Sequence, residues 1–67
     1  MVLTVNGERQ DVQPDTDTVA ALLEALGYEG SFFAVAVNQE VVRRAKWTET
    51  PLTDGDSIEI LTPRQGG

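Results

Sequence analysis

Carboxylates are the only abundant reactive side chains in this sequence. Asp and Glu number 11 in 67 residues, and the chain has no His and no Cys. The closest acidic pairs are Asp15/Asp17 and Asp54/Asp56. An acid–base pair works only when burial or mutual repulsion drives the two pKa values apart. Both pairs fall in turn-forming stretches, where Asp usually accepts from its own backbone, so they read as structural. Asp54-Gly55-Asp56 has the look of a calcium-loop fragment, but its glycine comes too early and no bidentate Glu follows at the required offset. Without His or Cys there is no Ser–His–Asp or Cys–His nucleophile, no metal site built on those ligands and no disulfide. No G-x-x-x-x-G-K-[ST] phosphate loop occurs. Arg43, Arg44 and Lys46 make a small basic cluster. Lone surface charges are common, so it reads as a solvated loop, with a partner contact as the alternative.

The remaining chemical feature is the terminus, Gln65-Gly66-Gly67. Two residues without side chains can thread a channel too narrow for Cβ atoms and adopt backbone angles closed to other residues. A carboxylate at the end of such a tail is an unhindered nucleophile. It could attack the α-phosphate of ATP in a partner's site, and a thiol, persulfide or amine could then displace AMP. Such a carrier needs no catalytic side chain of its own, which suits a chain lacking His and Cys. The competing explanation is a frayed glycine tail or an expression remnant.

A tail of this kind needs a body to present it. At 67 residues the chain is one domain at most, with a core worth only a few kcal/mol, on the order of 3–5. Its 40% apolar content is too high for a disordered acidic segment. The net charge of −6 argues against nucleic acid and against an anionic membrane. No apolar run approaches a membrane span and no signal peptide opens the sequence, which points to a soluble cytoplasmic protein.

Met1–Val5 is β-branched and leads into Asn6-Gly7, a strong hairpin signal, with the return strand over Glu8–Val12. Thr16, Asp17 and Thr18 each suit a helix N-cap. Val19, Leu22, Leu23 and Leu26 follow at i, i+3, i+4 and i+7, predicting a helix over 18–26 that Gly27 ends. Tyr28 to Ser31 form a short connection. Phe32–Val37 is an apolar run that fits a central strand. Asn38-Gln39 turns the chain into a short strand, Glu40–Arg43. Arg44 to Pro51 shows no period and reads as irregular, with Trp47 a lid over one edge of the core. After the Asp54-Gly55-Asp56 turn, Ser57–Leu61 alternates like a half-buried strand. One helix must cover one face of a mixed sheet of four or five strands. The first strand needs a central place, with the last strand beside it in parallel. This is the α+β fold called β-grasp, or ubiquitin-like. The domain is expected over 1–62, with a flexible tail over 63–67. Leu3, Val19, Leu22, Leu23, Leu26, Val35, Val37, Ile58 and Ile60 are the expected core.

Over nearly its whole length the chain resembles the ThiS family, sulfur carriers of thiazole (thiamin) biosynthesis. The match rests on Val5-Asn6-Gly7-Glu8, Thr18–Leu23, Ala36–Val42, Arg44 with Trp47, Leu52-x-Asp54-Gly55-Asp56-x-Ile58-Glu59-Ile60, and Gly66-Gly67. One departure is Arg43, where the family commonly has a proline before the arginine. The resemblance implies that an E1-like (ThiF-like) enzyme adenylates Gly67 with ATP and Mg. Sulfur from a donor such as a cysteine desulfurase then gives a thiocarboxylate, and a ThiG-like thiazole synthase takes the sulfur. Gly66 and Gln65 would carry Gly67 into the partners' active sites. The carrier itself would be no enzyme, would bind no cofactor or metal, and would be a monomer when free. The rival readings are the small subunit of molybdopterin synthase or a sulfur carrier of another pathway, a ubiquitin-like modifier conjugated to lysine, and an adaptor with an inert tail.

Overall fold

The computed structural model describes residues 1–28 and 33–62. Five strands, one α-helix and one 3-10 helix follow in the order β1 (Val2–Val5), β2 (Glu8–Asp11), α1 (Val19–Ala25), β3 (Ala34–Val37), β4 (Glu40–Val42), the 3-10 helix (Arg44–Glu49) and β5 (Ser57–Leu61). The strands form one mixed sheet in the order β2-β1-β5-β3-β4. β1 runs parallel to β5, and the other pairings are antiparallel. This is the β-grasp arrangement. The first strand is interior, as expected, but the middle place belongs to β5.

Local chemistry explains the elements. Asn6 (φ 51°) and Gly7 (φ 82°) both take positive φ, which matches the twist of a tight hairpin. Asn38 (φ 51°) and Gln39 (φ 72°) do the same between β3 and β4. Of the three candidate caps, Thr18 is the one used: its hydroxyl accepts from the Ala21 amide at 3.1 Å. Thr16 is buried instead. The backbone after the 3-10 helix closes the other side of the helix start, with Val19 donating to Thr50 O at 3.1 Å and Leu52 to Asp17 O at 2.8 Å.

The helix lays Val19, Leu22 and Leu23 on Leu3, Val5, Val35, Ile58 and Ile60. Leu26 and Val37, expected in the core, are only partly buried, since Leu26 lies at the helix C-cap and Val37 at the turn end of β3. Trp47 and Leu52 complete the core. Arg44–Glu49 corrects the irregular reading, because it forms a 3-10 helix. A three-residue turn has no amphipathic signature over so short a run. Its anchor is Trp47, whose indole N–H donates to Val42 O at 3.0 Å. The indole also stacks on Phe33 at 5.2 Å, and Phe33 meets Tyr28 at 5.6 Å. Phe33 therefore precedes β3 as part of an aromatic edge, and the lid role expected of Trp47 holds. Phe32, part of the Tyr28–Ser31 connection and the 63–67 tail lie outside the described residues.

Candidate functional site

The residues with the strongest chemical claim, Gln65, Gly66 and Gly67, lie outside the described residues. What is described is the place from which the tail starts. β5 occupies the middle of the sheet, and its last residue, Leu61, pairs with Ala34. The parallel pairing of β1 and β5 covers only Thr4↔Ser57 and Val5↔Ile58. Beyond it Asn6 continues the ladder: its amide donates to Ile58 O at 2.8 Å, and its side-chain Oδ1 accepts from the Ile60 amide at 2.8 Å. Asn6 is thus more than a turn residue. Its side chain secures β5 one residue before the strand ends.

Alternation within β5 turns Ile58 and Ile60 inward and Ser57, Glu59 and Leu61 outward. Leu61 is 66% exposed, and Val41 on β4 is 72% exposed. Pairing of Ala34 with Leu61, Ala36 with Glu59 and Ala36 with Val41 puts these residues on the face that the helix leaves open. An exposed apolar strip therefore lies beside the tail's starting point. Residue-by-residue reading passed over Leu61 and Val41, although the alternation of Ser57–Leu61 already places Leu61 with Ser57 and Glu59.

The acidic pairs do no joint chemistry. Asp15 and Asp17 are exposed. Asp54 accepts from the Val2 amide at 2.6 Å, which ties the turn before β5 to the start of β1. Asp56 feels burial, which raises its pKa, but hydrogen bonds outweigh it. These come from the Thr53 amide (2.9 Å), the Asn38 amide group (3.1 Å) and the Thr53 hydroxyl (3.0 Å), and they hold the carboxyl below its ordinary value. That is a structural carboxylate, charged and bonded in a turn. A cavity of about 520 Å³ opens on the helix side, lined by Leu23, Tyr28, Phe33 and Trp47 together with Glu24 and Arg44. Its described lining contains no nucleophile–base pair. Among the described residues no group of three or more acidic side chains is placed to hold a metal ion.

A body that ends its middle strand beside an apolar strip, with a Gly-Gly tail to follow, is matched by one family model, that of the ThiS family, over residues 2–67. The chain belongs to the ThiS family. It is 33% identical over 63 residues to the sulfur carrier protein ThiS of Thermus thermophilus, covering 94% of this chain and 95% of that one. It is 36% identical over 67 residues to a thiazole synthase of Paramagnetospirillum magneticum, covering all of this chain but only 20% of that protein. The chain thus spans about a fifth of that relative. The crystal structure of the thiamine biosynthesis protein ThiS from Geobacter metallireducens superposes with a TM-score of 0.83 at 36% identity, covering 100% of both chains. The ThiS match takes in the Asn6-Gly7 hairpin, the Trp47 edge and the Gly66-Gly67 end.

Proposed function

We propose that this chain is a sulfur carrier of thiamin biosynthesis that works as a protein co-substrate, with Gly67 as its reacting residue. The observation that carries this reading is the ThiS family match across residues 2–67, which includes Gly66 and Gly67. The chain's chemistry is consistent with it, since the role asks only for a carboxylate on a narrow tail. A partner must supply everything else. The Gly67 carboxylate attacks the α-phosphorus of ATP, pyrophosphate leaves, and an acyl-adenylate forms. The E1-like, ThiF-like enzyme holds the ATP and Mg, whose positive charge offsets the phosphate oxygens. A persulfide sulfur then attacks the acyl carbon and AMP leaves. A second thiolate attacks the enzyme-side sulfur of the resulting acyl disulfide, which frees the thiocarboxylate. A cysteine desulfurase is the source of the sulfur.

The acceptor is a thiazole synthase. Likeness across the whole of this chain to one-fifth of a protein named thiazole synthase supports that pairing. The open sheet face offers the docking strip, through Ala34, Ala36, Val41 and Leu61. Five residues follow Thr62, giving a maximum reach of about 17 Å. No helix among the described residues is long and apolar enough to cross a membrane. On this reading the carrier meets these enzymes in the cytoplasm as a free monomer.

Intact-mass measurement tests the reading. The chain is incubated with the adenylating enzyme, ATP, Mg and a sulfur source. The expected product has one oxygen replaced by sulfur, localised to Gly67, and loses that sulfur when thiazole synthase and its substrates are added. Retention of sulfur in that step, with release to a molybdopterin precursor instead, would reassign the acceptor. Failure to gain sulfur at all would remove the carrier role.

A further inference from the structure

Arg43, Arg44 and Lys46 follow β4 in sequence, whereas Arg9 lies on β2 in the row of Thr4 and Ser57. Val42, Val35 and Ile60 lie in one cross-strand row, so β4 and β5 finish at the same end. Arg43 and Arg44 continue directly from β4 there, and both are exposed. Lys46, two residues on, pairs with Glu49 at 3.5 Å, whereas neither arginine has an ion-pair partner among the described residues. Neighbouring strands lie about 4.8 Å apart, so the arginine backbone stands roughly 10 Å from the start of the tail, with β3 between them. The opposite end carries acid together with the N-terminal ammonium, which lies 3.9 Å from Asp11. Asp11 pairs with Val2 at the beginning of β1, Asp54 bonds the Val2 amide, and Asp56 immediately precedes β5.

Arg43 and Arg44 therefore stand at the end of the sheet at which β5 finishes. A five-residue strand is about 17 Å long, roughly two Debye lengths at physiological salt. A surface that meets this end of the sheet senses Arg43 and Arg44 more than the carboxylates at the start of β5. Among the described residues the nearer negative charges are Glu24, which lines the helix-side cavity together with Arg44, Glu49, which pairs with Lys46, and Glu59 on the open face of β5; Glu8 lies on the far side of β5 from the arginines.

We infer that Arg43 and Arg44 form a cationic docking collar beside the tail exit. It is complementary to a carboxylate-bearing rim around the mouth of the channel that takes up the tail in the adenylating enzyme. Guanidinium groups suit this role because they remain charged and bind carboxylates through two parallel hydrogen bonds. The collar sets how the carrier sits on its partner, while the apolar strip provides the buried contact. The inference rests on the carrier reading above, since it needs a partner that swallows the tail.

The test measures the affinity of the chain for the ThiF-like adenylating enzyme directly, beside the steady-state KM and kcat for adenylation, at low and at physiological salt. Arg43→Glu with Arg44→Glu should raise Kd and KM at least tenfold at low salt while kcat changes less than twofold. Arg43→Gln with Arg44→Gln should give an intermediate loss. Arg9→Glu, which alters net charge as much as Arg44→Glu but on β2, should change Kd less than twofold. Circular dichroism should show all variants folded, since these side chains are exposed. Wild type that is sulfurised normally, beside a double-Glu variant with unchanged Kd, would overturn the collar and leave the carrier role standing. Equal losses for Arg9→Glu and Arg44→Glu would also overturn it, in favour of net charge. Wild type that neither binds the enzyme nor gains sulfur would take down the carrier reading itself.

Discussion

Asn6 shows how one side chain can serve two parts of a fold. Its backbone adopts φ 51° for the hairpin, and its Oδ1 holds the Ile60 amide 54 residues away. The Asn6-Gly7 pair was legible as a turn because positive φ is a local demand. The bond to Ile60 was not legible, since nothing local in the sequence says which distant strand lies alongside. Asn6→Gly keeps the turn and removes the acceptor, so it should cost about 1 kcal/mol. Exchange of the Ile60 amide should speed up more than that of Ile58, and equal protection in variant and wild type would refute the role. Asp56 makes a pH prediction at the same scale. Its folded pKa lies below the ordinary aspartate value, so its contribution is present above that ordinary value and lost as pH falls through the lower folded one. In urea titrations at several pH values, Asp56→Asn should be less stable than wild type at pH 7, and the gap should close toward pH 2. A constant gap would mean that the charge contributes nothing.

At the level of elements, legibility followed periodicity. The helix was readable because Val19, Leu22 and Leu23 repeat at its pitch, and β5 because Ile58 and Ile60 alternate. Arg44–Glu49 has no such repeat, and its order comes from a single residue packing against distant partners. Trp47 bonds Val42 O, stacks on Phe33 and lies in the core cluster. The 3-10 helix in turn leads to Thr50 and Leu52, whose backbone groups close the start of α1. Losing Trp47 should therefore loosen two helices together. Trp47→Ala should cost about 3–5 kcal/mol, enough to unfold much of so small a domain. Trp47→Phe keeps the ring contact and loses the N–H bond, and should cost about 1–2 kcal/mol. Thermal melts followed by circular dichroism would separate the two. Equal melting temperatures for Trp47→Ala and wild type would show that the aromatic edge is not what orders this segment.

For the molecule as a whole, the core and the residue proposed to react lie apart in sequence. The core belongs to the helix and one sheet face, while Gly67 comes after the last described strand. The fold was legible because burial leaves periodic marks in sequence. The Gly66-Gly67 end could be read only through channel width and carboxylate chemistry, and the Arg43/Arg44 end of the sheet emerged only when strand register joined it to Leu61. This separation makes the tail testable without disturbing the body. Gly66→Ala adds one methyl group at a position that comes after β5 in sequence, so on the carrier reading the melting temperature should stay within about 3 °C of wild type. On the proposed mechanism the same methyl would enter the partner's channel, where the carboxylate has to reach the nucleotide at about 3–3.5 Å. A misplacement near 1 Å can cost on the order of a hundredfold in rate, so adenylation should slow by at least tenfold. Deleting Gly67 withdraws the carboxylate by one residue, about 3.5 Å, and should abolish sulfur gain in the intact-mass assay. Equally rapid sulfur uptake by the shortened chain would show that the reacting carboxylate is not that of Gly67.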